Sequence, residues 1–246
     1  MKNFRKTIAI IVLAVVLCTL PGEGLGDIFS WVVETAPVAE AVYVGKGNNV
    51  FIVDPSAYVY HPAKFNDLSN HKWAEKAIMD LAHAGIVKGT SNTTYSPAAN
   101  ITRADFVLYM VNAFKFKGYN KSEFKDINGN EYYAEAVAIA ADRGIVNGVS
   151  TYAFAPNNAI KRCDMMVIIH RALKAYGINL KVGSVSMPDM NTVPAYAQEA
   201  VKALIGAELV NGKSGKVEPN AYVTRAEVAA LISRLVYNGI PAKALA

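Results

Sequence analysis

Three segments of the chain share one spaced pattern, and this repeat constrains the fold more than any other feature of the sequence. In each, an aromatic residue is followed 16 residues later by a glycine, and a proline precedes an arginine by six residues. The copies place these residues at Trp73, Gly89, Pro97 and Arg103, at Tyr132, Gly148, Pro156 and Arg162, and at Tyr196, Gly212, Pro219 and Arg225. Because the arginines are 59 and 63 residues apart, we predict three structural units of about 60 residues.

Two helices are predicted in each unit. The first begins near the aromatic residue and runs to a turn, with Ala77, Ile78 and Leu81 facing inward in the first copy. The second begins just before the arginine and carries apolar residues at i, i+3, i+4, i+7 and i+8, the spacing of one buried helix face. These residues are Phe106, Tyr109, Met110, Ala113 and Phe114, then Met165, Ile168, Ile169, Ala172 and Leu173, then Val228, Leu231, Ile232, Leu235 and Val236. We expect these stripes to form the core.

The second helices differ at their first residues. Thr224 and Glu227 match a capping box, in which the hydroxyl and the carboxylate each accept a hydrogen bond from a backbone N–H. Thr102 and Asp105 are a shorter version. Lys161 stands at the equivalent place in the second copy and cannot accept such a bond. That helix is therefore predicted to start less firmly, by about 1 kcal/mol.

The N-terminal residues have the layout of a secretory signal peptide. Basic residues precede an apolar run over residues 7–20, which Pro21 ends. The run is shorter than the roughly 20 residues that span a bilayer, so a cleaved signal is favoured over a membrane anchor. Cleavage after Gly26 and cleavage after Ala41 both stay open. Cys18 is not expected to carry lipid, because Leu17 precedes it where lipoprotein signals resemble one another in having Gly, Ala or Ser.

The sequence lacks the motifs of catalysis and of metal binding. Removal of the signal leaves Cys163 as the only cysteine, which excludes an intramolecular disulfide and a cysteine-based zinc site. The four histidines have no metal-ligand spacing, and no phosphate loop, serine elbow or zinc-protease motif is present. Asp126, Asn128 and Asn130 resemble the start of a calcium loop, but Glu131 follows where glycine is needed. We predict no enzyme, no cofactor and no metal.

Two further expectations concern the position of Cys163 and the net charge of the chain. Cys163 aligns with Ala104 and Ala226, so it is expected to be a small buried core residue. The formal net charge is +5 at pH 7, and a mildly basic protein suits an anionic polymer better than a neutral one.

The whole series of motifs resembles the S-layer homology (SLH) domain. In the first copy it reads Trp-Ala-x-x-Ala-Ile from Trp73, Gly-Ile-Val-x-Gly from Gly85, Tyr-x-Pro from Tyr95 and Thr-Arg-Ala-Asp from Thr102. The resemblance covers about residues 64–240. It implies a mainly α fold, in which three helix-loop-helix repeats pack as a pseudo-threefold, three-pronged module around a central helical bundle. It also implies grooves between the prongs that bind secondary cell-wall polysaccharide, often with a pyruvyl ketal on its sugar, mainly in Gram-positive bacteria.

The residues that the resemblance assigns to the polysaccharide are the recurring ones. They are Arg103, Arg162, Arg225, Trp73, Tyr132, Tyr196, Thr102, Thr224, Lys88, Gly89, Gly148 and Gly212. A guanidinium can grip the carboxylate of a pyruvyl ketal with two parallel hydrogen bonds, and the first turn of a helix favours anions. The alternatives are a solvated charge for each arginine, core packing for the aromatic residues, helix termination for the glycines and capping for the threonines.

The copies depart unequally from the family pattern. The second has Lys161 for the capping threonine, and the third has Glu208 where the others have Gly85 and Gly144. Lys88 is replaced by asparagine in both. Because the first copy keeps nearly the whole pattern, we expect a groove that uses Arg103 to be competent and the other two to be weaker or specialised.

The predicted organisation follows from these patterns. A signal peptide covers residues 1–26, with cleavage possible as late as 41, a linker or short hairpin covers 42–63, and the repeats cover 64–119, 120–182 and 183–240. The predicted function is non-catalytic anchoring at the cell wall or S-layer of a secreted protein, through an anionic wall polysaccharide that is pyruvylated. The alternative is a structural S-layer or surface-assembly protein that acts through protein or peptidoglycan contacts. Other surface proteins are possible partners, and neither nucleic acid nor a membrane span after cleavage is expected.

Overall fold

The computed structural model describes residues 43–44, 49–51, 53, 57–118 and 122–246. The predicted signal peptide, its cleavage sites and Cys18 lie outside these residues. The α-helices are α1 (Lys72–His83), α2 (Arg103–Phe114), α3 (Ala134–Asp142), α4 (Arg162–Ala175), α5 (Gln198–Gly206) and α6 (Arg225–Ser233), which continues as a π-helix over Arg234–Asn238. The strands are β1 (Tyr43–Val44), β2 (Asn49–Phe51) and β3 (Ile240–Pro241). Within the described residues, no helix has the length and apolar character that crossing a membrane requires.

Each prong of the module combines helices from two repeats. Helix α3 of the second repeat packs on α2 of the first, and α5 of the third packs on α4 of the second. Helix α1 packs on α6, which closes the cycle. Helix α2 also contacts α4 and α6 at the centre. The mainly helical, pseudo-threefold fold expected from the repeats is confirmed, and its prongs are shared between neighbouring repeats.

The predicted apolar stripes form the core. All fifteen stripe residues of α2, α4, α6 and its π-helical continuation are buried, and Ile78 and Leu81 of α1 are buried against them. Cys163 is likewise buried, in agreement with its alignment with two alanines. Since a buried apolar side chain contributes about 1.5–3 kcal/mol, these stripes are the main stabilising element of a chain whose one described cysteine is free.

Backbone hydrogen bonds close a ring around the pseudo-threefold centre. The N–H of Ile101 donates to the carbonyl of Val223 (2.9 Å), that of Val223 to Ile160 (3.3 Å), and that of Ile160 to Ile101 (3.1 Å). A second ring joins the three arginine N–H groups to carbonyls of the neighbouring repeats, each at 2.9 Å. The next N–H in each copy donates to the carbonyl of the repeated proline, as from Ala104 to Pro156 (3.1 Å). The recurring proline thus lies where one repeat joins the next.

A repeated aspartate that the sequence analysis missed holds the loop before each proline. The carboxylate of Asp67 accepts bonds from the N–H groups of Tyr95 (3.0 Å) and Ser96 (2.7 Å). Asp126 and Asp189 make the equivalent bonds in the other repeats. Ser96, like its counterparts, has a positive φ, of 58°, and the two bonds hold this unfavourable conformation. The signal was available, because each aspartate lies 28 residues before its bonding partner.

The capping pattern at the second helices is as predicted. The Thr102 hydroxyl accepts a bond from the N–H of Asp105 at 3.1 Å, and Thr224 and Glu227 form a complete capping box. Lys161 at the start of α4 makes no side-chain cap. The threonines therefore act in the fold as helix caps.

Replacing Lys161 by threonine is expected to stabilise the protein by about 1 kcal/mol, because the new hydroxyl would accept the bond that α4 lacks. The check is the midpoint of urea unfolding at constant m-value, with Lys161→Ala as the control that removes the ammonium without adding a cap. A midpoint for Lys161→Thr no higher than that of Lys161→Ala would contradict it.

The chain segments that flank the repeats meet in a small sheet of order β1-β2-β3. Strand β2 pairs antiparallel with β1 and also with β3, with Val50 opposite Ile240. The Asn49 side-chain amide donates to the carbonyl of Asn238 at 2.7 Å. The segment before the first repeat is therefore joined to the end of the third.

One departure of the third repeat has a backbone consequence. Glu208 adopts φ of 59°, close to the 70° of Gly85 and the 66° of Gly144. The turn therefore keeps its left-handed conformation without its glycine, at a local cost of about 1–2 kcal/mol.

Candidate functional site

The three repeated arginines are buried, with exposed fractions of 8% for Arg103, 6% for Arg162 and 4% for Arg225. The solvated-charge alternative for these residues is therefore wrong. Each Nε donates to a carbonyl of the next repeat: Phe154 for Arg103, Val217 for Arg162 and Tyr95 for Arg225, at 2.9–3.0 Å. The same residues thus fasten neighbouring repeats to one another.

A second bond from each guanidinium reaches the turn after the first helix of the next repeat. Arg103 Nη2 donates to Asn147 O (3.4 Å), Arg162 Nη2 to Asn211 O (3.2 Å) and Arg225 Nη2 to Lys88 O (2.6 Å). The carbonyls that accept these bonds belong to the residues before Gly148, Gly212 and Gly89. Sequence-recurrent positions from different repeats are therefore brought together.

Three grooves result, each built from all three repeats, and we number them by the repeat that supplies the turn. Groove I contains Arg225, Lys88, Gly89, Asp105, Tyr109 and Tyr132. Groove II contains Arg103, Asn147, Gly148, Val149, Asp164, Val167, Ile168, Arg171 and Tyr196. Groove III contains Arg162, Asn211, Gly212, Lys213, Glu227, Leu231, Arg234 and Trp73. Grooves II and III enclose cavities of about 450 Å³ and 200 Å³.

This assembly corrects the reasoning that linked one groove to the first copy. Arg103 lies beside the turn of the second repeat and Tyr196 of the third, whereas Lys88 and Gly89 lie beside Arg225. No groove inherits the pattern of one copy, because prongs form between repeats. The fidelity of the first copy to the family motif therefore does not identify a competent groove.

The aromatic residues are exposed rather than packed in the core. Trp73 is 62% exposed, Tyr132 70% and Tyr196 60%, so the core-packing alternative is wrong for all three. Each stands on the prong opposite the arginine of its groove. Exposed aromatic faces beside buried guanidinium groups form a surface that can contact both a sugar ring and an acidic substituent.

A carboxylate completes each groove and was not among the predicted site residues. The Tyr132 hydroxyl donates to Asp105 (2.7 Å) and that of Tyr196 to Asp164 (2.6 Å). Glu227 stands at the equivalent position in groove III. These residues end the Thr-Arg-Ala-Asp/Glu motif, so their recurrence could have indicated a place in the site. The sequence analysis considered Asp105 and Glu227 only as helix-capping residues.

Burial lowers the pKa of one groove arginine and raises the pKa values of two groove tyrosines. Desolvation lowers the pKa of Arg103, against the opposing effect of Asp164, Tyr196 and Asp126. Desolvation first, and then its bond to Asp164, raises the pKa of Tyr196 above its ordinary value. Desolvation also raises the pKa of Tyr109 to about 12. At neutral pH the tyrosine hydroxyls stay protonated and can donate hydrogen bonds.

The recurring glycines are required by the protein's own loops. A Cβ on Gly148 would lie 2.3 Å from the carbonyl oxygen of Ser150, and one on Gly89 would lie 2.4 Å from that of Ser91. Neither residue needs a positive φ, so neither is a left-handed helix terminator. Gly212 is tight in the same way, with Lys216 O at 2.9 Å. These residues shape the floor of each groove by allowing a compact turn.

The carboxylates in the segment that resembles the start of a calcium loop accept hydrogen bonds from the backbone instead. The carboxylate of Asp126 accepts bonds from Phe154 and Ala155, and that of Glu131 accepts bonds from Asn128 and Gly129. Within the part of the chain that the structure describes, no group of three His, Cys, Asp or Glu side chains could hold a metal ion.

Comparison with known proteins agrees with the fold and with the repeated residues. The S-layer homology domain matches at residues 64–107, 123–166 and 186–229, which together make up more than half of the chain. The chain therefore belongs to the S-layer homology family, with three repeats.

Several relatives are larger proteins. The chain is 30% identical over 179 residues to a surface-layer 125 kDa protein of Lysinibacillus sphaericus, covering 71% of this chain and 15% of that protein. It is 32% identical over 198 residues to exoglucanase XynX of Acetivibrio thermocellus, covering 78% of this chain and 18% of the relative. It is 27% identical over 172 residues to S-layer protein EA1 of Bacillus anthracis, covering 69% and 20%. The chain thus spans a fifth or less of the length of these relatives.

Proposed function

We propose that this protein is a non-catalytic module that anchors to the cell wall by binding an acidic wall polysaccharide in its inter-repeat grooves. The observation that carries the proposal is the pairing, in each groove, of an exposed aromatic residue with a buried arginine from another repeat. A sugar ring can lie on the aromatic face while its carboxylate, as in a pyruvyl ketal, accepts bonds from the guanidinium.

Family membership supports the cell-surface part of this proposal. Two of the relatives are named as surface-layer proteins, and one is named as a glycan-degrading enzyme. Because the module is common to proteins with such different names, attachment is a better explanation of its function than catalysis of one reaction. A secreted protein held at the wall is the location that we propose for this chain.

Retention on purified walls tests the ligand class. The protein is incubated with walls from the organism that produces it, before and after extraction of their polysaccharide, and the bound fraction is measured by sedimentation. We expect the protein to lose binding to the walls when their polysaccharide is extracted. The released polysaccharide should compete with intact walls for the protein. Unchanged retention on extracted walls would overturn the polysaccharide proposal and favour the alternative of protein or peptidoglycan contacts.

Substitution of the exposed aromatic residues tests the site. Trp73→Ala and Tyr196→Ala are each expected to weaken wall binding about 10-fold, the effect of removing a contact residue at the centre of an interface. Because both side chains are mostly exposed, the unfolding midpoint should change little for Trp73→Ala, and more for Tyr196→Ala, which also loses the hydrogen bond to Asp164. Tyr152→Ala is the matched control, since Tyr152 is half-exposed and lines neither groove II nor groove III. Equal binding by all three variants would remove the aromatic residues from the site.

A further inference from the structure

The three grooves differ in whether their arginine is already occupied. In groove I, Arg225 Nη1 forms an ion pair with Asp105 at 3.1 Å, and Nη2 donates to the Tyr109 hydroxyl at 2.7 Å. Together with the bonds to Tyr95 and Lys88, these contacts use four of the five N–H donors of the guanidinium. The protein's own carboxylate thus holds the position that an acidic ligand would take.

In grooves II and III the repeated arginine forms no described ion pair with the groove carboxylate, although Asp164 is near enough to favour the charged form of Arg103. The residues equivalent to Tyr109 are Ile168 in groove II and Leu231 in groove III, and neither has a hydroxyl. Among the described residues, neither Arg103 nor Arg162 forms a salt bridge, and each makes only the bonds to backbone carbonyls given above. Each therefore keeps Nη1 for a ligand at the wall of its groove.

A second arginine lines each of these two grooves. Arg171 lies seven residues after Asp164 on α4, and Arg234 lies seven residues after Glu227 at the end of α6. Seven residues are two helical turns, so each arginine is on the groove face and roughly 10 Å from the carboxylate. In groove I the same position is Asn112, whose amide donates to the carbonyl of Ile86 at 3.3 Å.

These second arginines have no internal counterion. Within residues 57–118 and 122–246, neither Arg171 nor Arg234 lies within salt-bridge distance of a carboxylate. Both are partly buried, and desolvation lowers the pKa of Arg234. A partly desolvated guanidinium without a partner is unfavourable, and an anion from outside the chain would relieve this.

We infer that grooves II and III each bind one segment of an anionic glycan at two points, through the pairs Arg103–Arg171 and Arg162–Arg234, whereas groove I is closed by Asp105 and Tyr109. The inference rests on the proposed function and adds which grooves bind and by which residues. In each pair the two arginines come from different helices that line the same groove, which suits a polymer with acidic groups on separate sugars better than one small anion. Arg171 and Arg234 would then determine specificity for an acidic chain.

The test measures the affinity of the full protein for polysaccharide released from the producer's walls, by isothermal titration. The polysaccharide is used as extracted and after conversion of its carboxylates to amides. Arg171→Ala and Arg234→Ala are each expected to weaken binding of the native polysaccharide about 10-fold at one of the two grooves, and the double variant at both. Lys174→Ala is the matched control, because it removes one exposed positive charge from α4 outside the groove. It should bind within about twofold of the wild type.

The outcomes separate the two proposals. Wild-type binding at both grooves in the double variant, or an equal loss of binding in Lys174→Ala, overturns the two-point inference and leaves the proposed function standing. Absence of wild-type binding overturns the proposed function and the inference with it. Equal affinity for the native and the amidated polysaccharide shows that the carboxylates of the ligand are not recognised, and it overturns the acidic ligand class on which both proposals depend. Arg171→Lys and Arg234→Lys keep the charge and most of the side-chain volume, so they provide a second measurement if an alanine variant fails to fold. They should bind more tightly than the alanine variants.

Discussion

Replacing Arg225 by alanine is expected to lower the free energy of unfolding by about 3–5 kcal/mol, the usual cost of removing one member of a buried ion pair. The guanidinium is 4% exposed and bonds to Asp105, Tyr109 and two backbone carbonyls. These groups connect the third repeat to the first. Their loss leaves a carboxylate without its cation and opens the joint between two repeats.

Urea unfolding followed by circular dichroism measures this effect. Arg162→Ala is the matched variant, because Arg162 has the same place and two carbonyl bonds but no described ion pair. We expect its loss to be about 2 kcal/mol, corresponding to two hydrogen bonds from a charged donor that are partly replaced by water. A cost for Arg225→Ala no larger than that for Arg162→Ala would show that the ion pair with Asp105 adds nothing.

This structural role changes how arginine variants are interpreted. A loss of wall binding in Arg103→Ala, Arg162→Ala or Arg225→Ala reports the folded fraction as well as ligand contact. Binding by these variants has to be compared without urea and at a temperature at which each variant remains folded. Trp73 and the second arginines avoid this difficulty, since no described hydrogen bond or ion pair of their side chains joins two repeats.

The second large effect is expected at the repeated aspartates. Asp67→Ala removes two bonds from a carboxylate to the N–H groups of Tyr95 and Ser96, and it should cost about 2 kcal/mol, since the site is partly open to water. Because the three sites lie in different loops, combining the change with those at Asp126 and Asp189 should be nearly additive, about 6 kcal/mol in total. That sum approaches the whole stability of an ordinary domain.

Thermal unfolding of the single and triple variants measures this, with Asp67→Asn as the conservative control. Asparagine has one acceptor oxygen where the carboxylate of Asp67 uses two, and it carries no charge, so Asp67→Asn should lie between the wild type and Asp67→Ala. A triple variant with the same midpoint as the single one would show that the loops are held by other contacts.

Two of these carboxylates, those of Asp67 and Asp189, determine an acid dependence. Although desolvation acts to raise it, bonds from the backbone N–H groups hold the pKa of Asp67 below its ordinary value, and the same holds for Asp189. The folded state therefore binds these protons more weakly than the unfolded state. Their stabilising contribution is complete above the ordinary aspartate pKa of about 3.9. It is lost as pH falls through the lower folded values, and the triple alanine variant should lose this part of the acid dependence.

Local patterns accounted for most of the secondary structure. The spacing of Phe106, Met110 and Phe114 predicted the buried face of α2, and the contrast between Thr224 and Lys161 predicted which helices are capped. Both depend on residues a few positions apart, where helical geometry alone determines which side chains meet. A repeated signal that was missed, the aspartate 28 residues before its partners, connects residues too far apart in the sequence for helical geometry to relate them.

The site depended on contacts that no local pattern contains. Trp73 has apolar helical neighbours in the sequence, yet it is exposed on groove III beside Arg162, 89 residues away. Arg171 and Arg234 recur in only two copies and carry no motif, so they gained meaning only from the groove that they line.

The sequence by itself determined three repeats, two helices in each, the buried faces of those helices and membership of a family of surface modules. Only the tertiary structure decided that each groove takes its arginine, its turn and its aromatic residue from three different repeats. The physical reason is that the second helix of one repeat buries its apolar face against the first helix of the next, as α2 does against α3. A repeat that cannot bury its core alone shares its prong, and with it every groove.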